Sequence, residues 1–319
     1  MAEILTEHHR IPGGDPDVTL YLRNRRRSDS TSQAPDRTLL FIHGATYPSS
    51  TTFDLDLDGL SWMSFIAERG FDVWCLDLRG HGHSSRPSEM SRPAQENGPI
   101  ARGEVAQRDI GAASAFIRKM RDLPRLTMMG HSWGTALVGR FSADNPDLVQ
   151  KVVLFAPVWI RRTPSLVQAG PGPLGAWRGV TREQCLARWM SGLKEGEREA
   201  FIPPGWFEHF ADVLFATDPE GLAMEPPVVR APNGVILDGL EYWSAGIPYY
   251  DAAKIAAPTL LVVGDRDVDT PPYMAKELYP LLPPDRGSEL ILLSGGTHSM
   301  MMETGRRRLF DAVQAFLER

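Results

Sequence analysis

In the stretch Gly130-His131-Ser132-Trp133-Gly134 a serine stands between two glycines, where the apolar run Leu126–Met129 gives way to a helix-like segment, Thr135–Ala143. An abrupt strand-to-helix turn needs residues without a β-carbon on both sides of the serine, because the two backbones pass close together. Such a turn holds the hydroxyl out beside the first N–H groups of the new helix. Those donors can stabilise a developing oxyanion. The chemistry this suits is nucleophilic attack on a carbonyl.

A serine hydroxyl is a poor nucleophile until a base takes its proton, and the base needs a partner that fixes its tautomer. Both are expected in loops after later strands. Gly264-Asp265-Arg266-Asp267-Val268-Asp269 follows the apolar run Thr259–Val263, and Gly295-Gly296-Thr297-His298 follows Glu289–Leu293. In a parallel sheet such loops open at one carboxyl edge, so Ser132, an aspartate and His298 can converge. Asp267 lies far enough past its strand to curl back over the edge. Asp265 suits bracing of the turn, and Asp269 is a third candidate. Of the eight histidines, only His298 follows the last strand. The second oxyanion donor should come from His43-Gly44-Ala45-Thr46, after the run Thr38–Ile42. The Ala45 amide can pair with that of Trp133, and Thr46 remains open as an alternative.

The elements that must position these groups follow from periodicity. Ile4–Ile11 and Val18–Leu22 alternate as an antiparallel edge hairpin, with Pro12-Gly13-Gly14-Asp15 as its turn. The basic run Arg23, Arg25, Arg26, Arg27 after it is expected to be a solvated loop. Apolar runs at Thr38–Ile42, Phe71–Leu76, Leu126–Met129 and Val152–Phe155 alternate with helical patterns at Leu60–Arg69, Glu104–Arg121 and Thr135–Ala143. That alternation implies βαβ units and a parallel sheet covered on both faces. It stops at Pro157. Up to Tyr250 the chain is rich in proline, glycine and tryptophan, with no clean strand. Pattern returns at Thr259–Val263, Tyr273–Leu281, Glu289–Leu293 and Arg306–Leu317. The expected organisation is a core, residues 1–156 and 251–319, interrupted by an insertion at 157–250.

The net charge of −6 and pI near 5.8 argue against nucleic acid or an anionic membrane as partner. Cys75 and Cys185 are the only cysteines, which speaks against a disulfide framework and for a reducing compartment. The N-terminus lacks the pattern of a signal peptide, and no run approaches the roughly 18 apolar residues of a membrane span. A cytoplasmic protein is expected. The oligomeric state is left open, a homodimer included.

His43-Gly44, Asp77–Ser84, Gly130–Gly134, Gly264–Asp267 and His298 together resemble the α/β-hydrolase fold family, in its serine-nucleophile, esterase- and lipase-like branch. The resemblance spans about residues 36–156 and 251–319. It implies an eight-stranded, mostly parallel sheet flanked by helices, with a mainly helical cap inserted after strand 6. It also implies that Asp77–Ser84 is a structural turn, so that His81 and His83 bind no metal, and no cofactor is called for.

Within that family a serine at the turn implies acyl chemistry, whereas dehalogenases and epoxide hydrolases use aspartate there. Five of the eight tryptophans, Trp159, Trp177, Trp189, Trp206 and Trp243, fall in the insertion. Pooled there, they suggest an apolar or aromatic cavity, with Met300-Met301-Met302 as a candidate floor. Thr46, Trp159, Trp243 and Met300 are the candidate substrate contacts, and charged substrates are disfavoured. The expected activity is hydrolysis of a carboxylic ester or lactone, a small-molecule substrate, through an acyl-enzyme on Ser132. Amide, aminopeptidase-like or carbon–carbon bond hydrolysis is the alternative, with Glu183, Glu208, Glu225, Asp238 and Glu241 as candidate amine holders. A lyase or ligand receptor on the same scaffold is the remaining one.

Overall fold

The computed structural model describes residues 2–30, 34–168 and 172–319. Its strands are β1 (Ile4–Pro12), β2 (Thr19–Arg27), β3 (Thr38–Ile42), β4 (Asp72–Asp77), β5 (Leu126–His131), β6 (Val149–Phe155), β7 (Trp177–Val180), β8 (Val229–Pro232), β9 (Thr259–Gly264) and β10 (Glu289–Leu293). Eight of them form one sheet in the order β1-β2-β4-β3-β5-β6-β9-β10. β1 and β2 run antiparallel at one edge, and every pairing from β4 through β10 is parallel. β3, β4, β5 and β9 are buried along their whole length. Covered on both faces, they carry continuous apolar runs rather than alternation.

Because the central strands are parallel, the loops after β3, β5, β9 and β10 open at the same edge. Those loops carry Ala45, Ser132, Asp267 and His298. Helices Gly103–Arg121, Trp133–Asp144 and Arg306–Leu317 bury apolar stripes against the sheet.

Two local expectations are corrected. β2 does not end at Leu22 but runs to Arg27, so the basic run is strand rather than loop. Its register with β1 continues to Ile4↔Arg27. Arg23 Nη1 and Arg25 Nε both donate to the buried carboxylate of Asp54, at 3.1 and 3.0 Å. The segment between β6 and β9 also holds a strand pair, the antiparallel β7 and β8. Its helices Arg182–Trp189 and Trp206–Ala216 share an apolar cluster with Phe41, Phe53 and Met301 of the rest of the chain. Among the described residues no helix is long and apolar enough to cross a membrane.

Candidate active site

Ser132 sits at φ 54° and ψ −124°, left-handed backbone that costs a residue with a β-carbon about 1–3 kcal/mol. The surroundings hold it there. Ser132 N donates to Phe155 O at 3.0 Å, and Thr135 N donates to Ser132 O at 2.8 Å. The flanking glycines are steric requirements. A β-carbon at Gly130 would meet Gly134 O at 2.2 Å, and one at Gly134 would meet Ile42 O at 2.4 Å and His43 O at 2.5 Å.

The loop after β3 is fixed by His43. Its Nδ1–H donates to Gly44 O at 2.7 Å, and its Nε2 accepts from Leu78 N at 3.1 Å. Burial holds this imidazole below its ordinary pKa, as an accepting nitrogen requires. Asp77 ties down the turn that follows it in the chain, accepting from Ser50 N at 3.0 Å and His83 N at 3.1 Å.

Asp267 and His298 meet. His298 Nδ1 donates to Asp267 Oδ2 at 2.9 Å. Asp267 Oδ1 accepts from the amides of Asp269 and Thr270 at 2.9 and 2.8 Å, and its Oδ2 from Thr270 Oγ1 at 2.9 Å. This carboxylate is therefore fully satisfied and fixed in place. Asp265 instead accepts from Gly295 N at 2.6 Å and braces the turn. His298 Nε2 has no hydrogen-bond partner among the described residues. His298, Ser132 and Ala45 line one small recess of about 20 Å³.

Asp269 takes a place of its own. Its Oδ2 accepts from Arg188 Nη2 at 2.6 Å and lies 3.4 Å from His298 Nε2. Arg161 Nη2 donates to its backbone oxygen at 2.7 Å. Burial opposes its ionisation, but Arg188, His298 and Arg161 outweigh that and hold its pKa at about 2.

Three arginines between β6 and β8 thus reach the site: Arg161, Arg178 and Arg188. Arg178 Nη2 donates to Ala45 O and to Thr46 Oγ1, both at 2.9 Å, and Arg188 Nη1 donates to Thr46 Oγ1 at 3.1 Å. Sequence reasoning missed them. Arginine is a surface residue by default, and nothing in their spacing marks them as buried.

A cavity of about 390 Å³ is lined by Ser132, Ala45 and Trp133 together with Val158, Val235 and Trp243. Trp159 does not line it but packs edge-on against Tyr250, with ring centroids 5.3 Å apart. Met300 is fully buried against Gly296, while Met301 and Met302 border the small recess. Trp189 and Trp206 belong to the apolar cluster beneath the insertion.

A family model described as alpha/beta hydrolase fold matches residues 37–304. The chain belongs to this family. Among its α/β-hydrolase relatives, gastric triacylglycerol lipase of Homo sapiens is 28% identical over 167 residues, covering 51% of this chain and 39% of the lipase. Lipase member K of Mus musculus is 23% identical over 300 residues, 79% of this chain and 72% of that one. The chain therefore spans about two fifths of the length of the gastric lipase it matches. The crystal structure of Paleococcus ferrophilus monoacylglycerol lipase superposes with a TM-score of 0.57 at 19% identity, covering 93% of this chain and 98% of that one. That likeness is one of fold.

Proposed function

We propose that the protein is a serine hydrolase that cleaves a carboxylic ester or lactone through an acyl-enzyme on Ser132. His298, held in one tautomer by Asp267, takes the Ser132 proton as the oxygen attacks the carbonyl carbon. The Ala45 and Trp133 amides receive the oxyanion, with Thr46 N as the alternative donor. The alcohol leaves with the proton from His298. A water, deprotonated by the same nitrogen, then releases the acid.

The observation that supports this most is the 2.9 Å bond from His298 Nδ1 to Asp267 Oδ2, beside a recess that His298 and Ser132 both line. The adjoining cavity, bordered by Val158, Val235 and Trp243, suits an apolar or aromatic part of medium size. The relatives named above are lipases, and an ester substrate agrees with them. The aminopeptidase reading finds less support. Glu183, Glu208, Glu225 and Glu241 are exposed, and Asp238 is buried against Arg102. The one carboxylate that lines the cavity, Asp269, is engaged by two arginines.

The test is labelling with a fluorophosphonate, beside turnover of 4-nitrophenyl esters, anilides and vinylogous diketones. Ser132→Ala should abolish the label and lower kcat/KM by roughly 10³-fold or more while leaving the fold intact. Undiminished ester turnover in that variant would overturn the mechanism.

A further inference from the structure

Arg178 is a buried cation with no ion pair among the described residues. It is 8% exposed, and its four hydrogen bonds all go to neutral oxygens: Pro232 O at 2.8 Å, Asn233 Oδ1 at 3.3 Å, and Ala45 O and Thr46 Oγ1 at 2.9 Å. Burial, and after it the neighbouring Arg188, press its pKa down to about 9. A buried charge without an opposite charge is costly, and hydrogen bonds to neutral oxygens offset that only in part.

The acids around it are engaged by other groups. Arg161 and Arg188 share Asp269, and Asp267 is committed to His298. Glu303, the remaining acid nearby, is bonded to Thr297, and burial raises its carboxyl to about 7. Of the three guanidinium groups, Arg178 alone has no carboxylate partner among the described residues.

A second cavity, of about 700 Å³, opens at this point, with Thr46, Arg178, Arg188 and Gln184 in its wall. Val167 and Gln168 line both it and the apolar cavity, so the two adjoin. Thr46 Oγ1 accepts from both arginines, which occupies its lone pairs. Its proton is left to donate away from the two cations.

We propose that this second cavity is an anion subsite, and that the substrate is an ester bearing a carboxylate. Arg178, Arg188 and the Thr46 hydroxyl recognise the carboxylate while the apolar part enters the cavity bordered by Trp243. The inference rests on the ester-hydrolase reading and adds the charge of the substrate to it.

The experiment compares esters matched in shape with the full-length protein. One pair is mono(4-nitrophenyl) glutarate against 4-nitrophenyl pentanoate, and the other is 3-(butanoyloxy)benzoate against phenyl butanoate. The anionic member of at least one pair should show about tenfold higher kcat/KM, carried mainly by KM and eroded by salt. Arg178→Gln and Arg188→Gln should bring that ratio close to one. Equal or better turnover of the neutral member in both pairs overturns the subsite and leaves the ester reading standing. If none of the four is cleaved, a thermal-shift titration of the wild type decides the subsite alone. Stabilisation by glutarate or 3-hydroxybenzoate, absent with phenol, upholds it. No stabilisation, or stabilisation by inorganic phosphate in their place, overturns it.

Discussion

Asp269 Oδ2 lies 3.4 Å from His298 Nε2, while Asp267 Oδ2 holds the opposite ring nitrogen at 2.9 Å. One imidazole thus stands between two carboxylates. Burial disfavours its charged form, but Asp267 and then Asp269 outweigh burial and hold the pKa above the ordinary 6.5. Asp269 remains ionised because Arg188 and Arg161 accompany it.

The proposed mechanism begins with neutral His298, so it predicts that the acid limb of kcat/KM falls above pH 6.5 in the wild type. Asp269→Asn removes one of the two groups that raise the imidazole and leaves Arg188, which lowers it, without its partner. The limb should therefore move to lower pH. A pH–rate profile over esters of constant charge reads this directly. An unmoved limb would contradict the role given to Asp269.

Glu303 gives the stability counterpart. Burial foremost, with Asp267 behind it, raises its folded pKa to about 7 from 4.5, against the hydrogen bond from Thr297. A carboxyl whose folded pKa is raised contributes stability fully below the unfolded value and loses it as pH climbs through the folded one. The window is thus roughly pH 4.5 to 7. Glu303→Gln keeps the acceptor for Thr297 and removes the titration. Relative to the wild type it should gain up to about 3 kcal/mol between pH 5 and pH 8. Urea unfolding at the two values checks this, and an identical difference at both would refute it.

Two glycines test the packing of the serine turn. Gly134→Ala drives a β-carbon into two backbone oxygens at 2.4 and 2.5 Å, whereas a β-carbon at Gly111 in helix Gly103–Arg121 meets nothing within 4 Å. Gly134→Ala should cost about 1–3 kcal/mol or more and disable the enzyme. Gly111→Ala should stabilise by about 0.4–1 kcal/mol. Equal unfolding midpoints for the two variants would contradict the geometry.

Much of this was legible before any coordinates. Buried parallel strands announce themselves as short apolar runs, and the loops after them carried Ser132, Asp267 and His298 in chain order. What escaped were interactions whose partners lie far away in sequence. Arg23 and Arg25 read as a solvated run because Asp54, which receives them, is about thirty residues on. Arg178 and Arg188 were hidden for the same reason, since their partners Thr46 and Asp269 sit on loops of the sheet edge. Trp159 was assigned to the cavity from composition alone. An aromatic ring packs equally well into a core, and Tyr250 provides that core here.

The central claim is a covalent one: the acyl group of the substrate passes through the oxygen of Ser132. Rapid acid quench of the protein with a 4-nitrophenyl ester, followed by intact-mass and peptide mass spectrometry, tests it most directly. A mass increase equal to the acyl group, confined to the peptide bearing Ser132 and lost in Ser132→Ala, is the predicted result. Full turnover with no acylated protein at any quench time, or the acyl group on another residue, would contradict it.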